Sequence, residues 1–318
     1  MVPEDEAGSL TPLTTQMLAV SDGHQLYVET VGRADGTPVV YLHGGPGSGC
    51  QPAHRRLFDP ARFRAVLFDQ RGCGRSMPFR SRVANATTDL IADMEAIRTA
   101  LRIDRWLVVG GSWGATLALA YAQTHPERVS GIVLRATFLG TREELEWAFL
   151  GAMPRFYPRL HADFLGLLDP AEQACPLDAY WRRILDPDPS IYRPAAWAWH
   201  DAERILSQIA PPSDRLDLAA RLEGADPLPS TPFMEAHYFS HECFLAPGQL
   251  MGQAGTLRGI HGRIIQGRYD LLCPPQTAYA LAALWPEAQI IPVAGAGHGL
   301  TEPGIEEAMR AATDELGA

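Results

Sequence analysis

An apolar run that stops at a serine set among glycines, then restarts as a helix, leaves few folds open to this chain. Arg105-Trp-Leu-Val-Val leads into Gly110-Gly111-Ser112-Trp113-Gly114, and Ala115-Thr-Leu-Ala-Leu-Ala-Tyr-Ala follows. The order reads as strand, sharp turn, helix. The turn needs glycine on both sides because the serine sits in a strained conformation where neighbouring side chains would clash. A serine at the centre of G-x-S-x-G in this setting is a nucleophile elbow. The bland alternative is a glycine-rich strand-to-helix turn without chemistry.

The flanking segments extend the pattern. Between Met17 and Tyr41 lie early strands, with Gln25-Leu-Tyr-Val-Glu-Thr-Val alternating polar and apolar. Pro38-Val-Val-Tyr-Leu is a short buried strand ending in His43-Gly44-Gly45-Pro46-Gly47, and Phe63-Arg-Ala-Val-Leu-Phe is another, ending in Asp69-Gln70-Arg71-Gly72-Cys73-Gly74-Arg75-Ser76. A helix is predicted from Thr88 to Leu101, with Thr87 or Thr88 as its N-cap. Val129-Ser-Gly-Ile-Val-Leu-Arg is the next strand. Strands resume at His261-Gly-Arg-Ile-Ile-Gln-Gly-Arg-Tyr-Asp270 and Gln289-Ile-Ile-Pro-Val, with a helix from Gln276 to Leu284 between them. Alternating strands and helices imply a mostly parallel sheet with helices on both faces. From 140 to 245 the texture changes to Trp, Tyr, Pro and helix-forming segments without strand alternation. That block is expected to be a helical cap inserted between two parts of the sheet domain, residues 1–139 and 246–318.

Bulk properties remove several function classes. The 318 residues carry a net charge of −10, which argues against nucleic acid as a partner, since that requires a basic face. Apolar and charged shares of 46% and 20% are those of a soluble globular protein. No apolar run reaches the length of a transmembrane helix. Met1-Val-Pro-Glu-Asp-Glu has neither the basic nor the apolar region of a signal peptide. Cys50, Cys73, Cys175, Cys243 and Cys273 form no C-x-x-C pair, so no metal site is supported and free thiols in a reducing cytoplasm are expected.

A serine hydroxyl becomes a nucleophile only when a base takes its proton. On an elbow of this kind the partners follow in the order Ser, Asp or Glu, His. Asp270 ends the strand Gly267-Arg-Tyr-Asp270, and His298 follows the last strand in Gly295-Ala-Gly-His298-Gly. Both stand at carboxyl ends of strands, where open α/β sheets bind ligands. The bland reading of Asp270 is a cap for the helix after it. His43, His125 and His237 lie outside a loop after the final strand. The backbone N–H of Trp113, next after the serine, is one expected oxyanion donor, and Gly45 in the glycine-rich loop after an early strand is the other. This chemistry calls for no cofactor.

The set HGGPG at 43–47, DQRGCGRS at 69–76, GGSWG at 110–114, GRYD at 267–270 and GAGH at 295–298 resembles the proline iminopeptidase family of serine peptidases. The resemblance runs from about Thr14 to the C-terminus and is weaker in the cap. It implies the α/β-hydrolase fold and release of an N-terminal proline from peptides. It carries the triad onto Ser112, Asp270 and His298, and the oxyanion donors onto Gly45 and Trp113. In that family cap glutamates hold the substrate's free amino group. Glu235, in Glu235-Ala-His-Tyr-Phe239, matches one of them.

The principal glutamate of the family follows a Trp in a W-x-x-W-E pattern, and here the chain departs. In Ala196-Trp197-Ala198-Trp199-His200-Asp201, matching Trp199 to the second Trp puts His200 where Glu is expected. A neutral imidazole cannot act as counter-charge to an ammonium. Asp201 would point roughly 100° away on a helix, and Glu203 is a more distant candidate. The alternative is that His200 and Asp201 are solvated cap residues. Phe138 and Phe239 match aromatic positions around the proline ring, or are ordinary core aromatics. The expected function is therefore a serine hydrolase of the proline iminopeptidase type acting on a short peptide. An amidase, esterase or acyltransferase with a remodelled pocket is the alternative.

Overall fold

A computed structural model describes residues 10–318. The N-terminal stretch examined for a signal peptide lies outside them. The strands are β1 (Thr14–Ala19), β2 (Gln25–Gly32), β3 (Thr37–Leu42), β4 (Phe63–Phe68), β5 (Trp106–Ser112), β6 (Val129–Thr137), β7 (Gly262–Gly267) and β8 (Ala288–Val293). They form one sheet in the order β1-β2-β4-β3-β5-β6-β7-β8. The β1–β2 and β2–β4 pairings are antiparallel, and all others are parallel. This is the α/β-hydrolase fold. Short apolar strands dominate the centre because a parallel sheet is covered on both faces.

The period of two in each strand divides the core. Val40, Leu42, Val66, Phe68 and Val108 face one layer, while Val39, Tyr41, Ala65, Leu67 and Val109 face the other. The first layer is covered by α1 (Thr87–Ala100) and α2 (Trp113–Thr124). The predicted N-cap of α1 is not borne out. Thr87 lies inside the helix, and its hydroxyl donates to the Cys243 carbonyl at 2.5 Å. Position 86 is an alanine, so the Asp89 carboxylate one turn on accepts the Ala86 N–H instead, at 2.8 Å.

From β6 to β7 the chain is helical: α3 (Arg142–Glu146), α4 (Met153–Phe156), α5 (Pro158–Gly166), α6 (Pro176–Ile184), α7 (Pro189–Leu206), α8 (Leu218–Glu223), α9 (Thr231–Phe239) and α10 (Gln249–Gly252). An aromatic stack holds this block together. Phe149 lies on Trp199 at 4.3 Å, and Phe164 on Tyr180 at 4.0 Å. After β7 come α11 (Pro275–Leu284), β8 and α12 (Ile305–Leu316), whose Ile305, Met309 and Ala312 cover the second layer. No helix among the described residues is long and apolar enough to cross a membrane.

Candidate active site

The strand β5 ends on Ser112 and α2 begins at the next residue. Ser112 has φ 57° and ψ −124°, a combination that a serine adopts only when its surroundings impose it. The surroundings are backbone. A Cβ on Gly110 would run into the Gly114 carbonyl, and a Cβ on Gly114 into the Leu42 carbonyl. The two glycines thus let the turn close onto β3, and the hydroxyl is left at the carboxyl end of the sheet.

Asp270 and His298 meet there from two loops. The strand β7 stops at Gly267, three residues before the predicted end, so Asp270 lies in the loop that follows it. His298 Nδ1 lies 3.0 Å from each Asp270 carboxylate oxygen. Asp270 Oδ1 also accepts the N–H groups of Leu272 at 3.0 Å and Cys273 at 2.8 Å, which fixes the carboxylate plane. The Nδ1–H donates to the carboxylate, so Nε2 carries the lone pair a general base needs. Arg135 on β6 donates to the His298 carbonyl and steadies that loop. Ser112 and His298 line one cleft without a direct hydrogen bond, a contact that commonly tightens only when substrate binds.

The glycine-rich loop is locked by a buried histidine. His43 Nε2 accepts the Gln70 N–H at 3.0 Å, so the ring proton sits on Nδ1 and donates to the Gly44 carbonyl, also at 3.0 Å. Burial pushes the His43 pKa down, which keeps this neutral tautomer. The Gly44 carbonyl also accepts from Ser48 N–H at 3.2 Å. Because carbonyl and N–H point oppositely across a trans peptide, the Gly45 N–H faces the other way. Gly45 has φ 105°, a region open to glycine. Gln70 then reaches the elbow: its Nε2 donates to the His43 carbonyl at 3.0 Å, and its Oε1 accepts the Trp113 indole N–H at 2.8 Å. The Trp113 backbone N–H belongs to the first turn of α2, where no intrahelical acceptor exists. Gly45 and Trp113, the residues of both expected oxyanion donors, thus lie beside Ser112.

An apolar pocket opens from Ser112 and Gly45 toward the helical block. Phe138, Phe149, Trp199, Phe239 and Cys273 are among its lining residues. Phe138 and Phe239 meet edge to face at 5.8 Å, and the Phe138 carbonyl is held by the Thr116 hydroxyl at 2.8 Å. Two carboxyl groups, Glu144 and Glu203, line this apolar pocket, and a third, Glu235, lies against Glu203. Glu235 on α9 is fully buried, and its Oε2 accepts the Trp199 indole N–H at 2.7 Å. Its Oε1 has no protein partner beyond a carboxyl contact with Glu203 on α7. Burial pushes both carboxyls above the usual range, and the charge of Glu203 pushes Glu235 further. Two such groups in contact disfavour each other's charged forms.

His200 is not part of that pair. It lines the open cleft outside Ser112, and its pKa is held down chiefly by burial. Asp201 is not solvated either. It is buried and accepts from Arg221 at 2.7 and 2.8 Å. Glu203, one turn beyond His200, is the residue of this segment that lines both the pocket and the cleft.

The helix α9 is fastened to the core on two sides. The Ser230 hydroxyl before it donates to the Gly47 carbonyl at 2.8 Å, and Tyr238 donates to Asn85 Oδ1 at 2.7 Å. Tyr238 also packs on the Trp113 ring at 4.6 Å.

Reasoning from sequence missed the scaffold roles of Gln70 and His43 and the indole bond from Trp199 to Glu235. Gln70 could have been suspected, since it stands between a strand end and a turn in the DQRG segment. Nothing in the sequence announces the Trp199 contact, which joins two helices 36 residues apart. No group of three or more His, Cys, Asp or Glu suited to a metal ion occurs among the described residues.

Residues 37–172 match the family model of the alpha/beta hydrolase fold. A proline iminopeptidase of Arabidopsis thaliana is 41% identical over 313 residues, 97% of this chain and 81% of that protein. One from Xylella fastidiosa (strain Temecula1) is 42% identical over 308 residues, 96% of this chain and 97% of its own length. Among solved structures, the proline iminopeptidase of Mycobacterium smegmatis superposes with a TM-score of 0.64 at 20% identity, covering 96% of this chain and 97% of that one. An esterase from Exiguobacterium antarcticum gives the same TM-score at 17% identity, covering 96% and 99%, so the superposition speaks for the fold and the sequence identity for the family. With about two residues in five shared across nearly its whole length, the chain belongs to the proline iminopeptidase family.

Proposed function

We propose that this chain is a serine peptidase that removes an N-terminal proline from short peptides, with Ser112, His298 and Asp270 as its triad. Ser112 Oγ attacks the carbonyl carbon of the terminal residue while His298 takes the hydroxyl proton. The N–H groups of Gly45 and Trp113 hold the resulting oxyanion. The C–N bond breaks, the departing amine takes the proton from His298, and a prolyl ester remains on Ser112. Water then attacks the ester, giving its proton to His298, and free proline leaves as Ser112 regains its hydrogen.

The observation that carries the substrate assignment is a carboxyl pair: half-buried Glu203, which lines the pocket next to Ser112, and fully buried Glu235 in contact with it. A terminal prolyl nitrogen is a secondary ammonium with two hydrogens, and two carboxylates offer one acceptor to each. Its entry pairs carboxylate charges that burial and mutual repulsion would otherwise disfavour. Phe138 and Phe239 bracket the ring. On this reading Glu203 supplies the carboxylate that His200 does not, from one helical turn further along α7. Residues 140–245 act as a cap carrying this recognition, between core segments 1–139 and 246–318. Five free cysteines, four of them buried, favour a cytoplasmic setting.

The test compares proline 2-naphthylamide with its N-acetylated analogue and with a simple ester, alongside fluorophosphonate labelling. The free amine should be strongly preferred and Ser112 should be labelled. Equal cleavage of the blocked analogue would remove amine recognition and leave an amidase or esterase.

A further inference from the structure

The cleft on the solvent side of Ser112 has the opposite electrostatic character to the rest of the chain. It measures about 410 Å³, within the range of roughly 300–1,000 Å³ for small-molecule sites. Among the described residues its lining includes Arg135, Arg204, His54, His200 and His298, and a single carboxyl group, Glu203. Glu203 is already engaged with Glu235. In a chain of net charge −10 this leaves a cleft with two arginines and, among the described residues, no opposing free carboxylate in its lining.

The two arginines are available in different degrees. Arg135 has no carboxylate partner among the described residues and spends one N–H on the His298 carbonyl. Arg204 stands at the rim with 46% of its side chain exposed. Its nearest carboxylate, Asp201, is 3.6 Å away and is already held bidentate by Arg221. His200 lies between them in sequence, largely neutral because burial lowers its pKa, with a buried Nδ1 that has no partner. Successive residues on a helix point about 100° apart. Glu203 accordingly reaches the inner pocket from the edge it shares with the cleft, while Arg204 lines the cleft and not the pocket.

We propose that this cleft recognises the departing fragment of the substrate by its negative charge, with Arg204 as the specificity-determining cation and His200 as a neutral hydrogen-bonding neighbour. The substrates it favours carry a carboxylate on the residue next to the scissile bond, as a free dipeptide does. The proposal rests on the amino-terminal reading above and adds the other end of the substrate to it.

The experiment measures kcat/KM for prolyl-alanine, prolyl-alanine amide and proline 2-naphthylamide, the last as an internal reference for each enzyme. For a rim arginine the free dipeptide should exceed its amide by about three- to tenfold, and added salt should narrow the gap. Arg204→Met should bring the dipeptide-to-amide ratio close to one, and His200→Glu should lower it as well. Naphthylamide turnover without a preference for the free carboxylate, or a preference that survives Arg204→Met, would overturn the proposal alone. Loss of naphthylamide turnover in the unaltered enzyme would overturn the amino-terminal reading and this proposal with it.

Discussion

Replacing Glu235 by glutamine separates recognition from structure at one atom. The amide oxygen can keep the 2.7 Å bond from the Trp199 indole. The amide nitrogen takes the place of Oε1, which has no partner other than the Glu203 carboxyl, and donates to it. The packing is unchanged while the counter-charge to the substrate ammonium is halved. Loss of one partner of a buried charge pair costs about 2–5 kcal/mol, which is about 30-fold to several-thousand-fold in kcat/KM. Stability should move the other way. Burial raises the folded-state pKa of Glu235 above its unfolded value. The group therefore favours the folded state at acid pH, and that contribution is lost as pH rises through the raised pKa. Glutamine does not titrate, so its advantage over glutamate should grow with pH. Relief of one poorly satisfied buried polar atom is about 1 kcal/mol, a Tm increase of about 2 °C for a chain of this size. Melting curves at pH 5 and pH 8, with proline naphthylamide kinetics, test both parts. A variant that melts several degrees lower at both pH values, or one that retains full turnover, would refute the reasoning.

Three further outcomes are expected. Asp270→Asn should keep the fold, since its side-chain oxygen can still accept from Leu272 and Cys273, but turn an amide N–H toward His298 and lower kcat by about 10⁴-fold; an intact kcat would remove Asp270 from the triad. Gly114→Ala drives a Cβ into the Leu42 carbonyl and should destabilise the protein by more than about 3 kcal/mol, read from denaturant midpoints, whereas a wild-type midpoint would mean the elbow can relax. Cys273 lines the pocket but is buried, and burial pushes its thiol well above the usual range, so iodoacetamide should modify exposed Cys175 far sooner; mass spectrometry reads the order, and early modification of Cys273 would contradict its enclosure.

The sheet was legible because its strands end in the turns that carry the chemistry. Gly110 to Gly114, Asp270 and His298 are each local signals, and chain order links them. Capping was less legible: Thr87 has the chemistry of an N-cap, but its hydroxyl is claimed by Cys243 and the helix uses Asp89 instead. The amine site was half legible. Glu235 came from the family resemblance, whereas the role of Glu203 depends on how α7 is rotated against α9. One hydrogen bond between those helices fixes that rotation, and no periodicity records it. His200 drew attention because it departs from the family pattern, yet the structure puts its side chain on the cleft side of the same helix.

The anchoring of α9 to Gly47 and Asn85 has a consequence for what the enzyme counts. The helix that carries Glu235 and the loop that carries Gly45 are tied to each other, so the distance between them does not change with the length of the peptide presented. Such a span works as a gauge set at one residue. With Glu235 holding the terminal amine as proposed, it admits the carbonyl next to the amino terminus and passes over every later one.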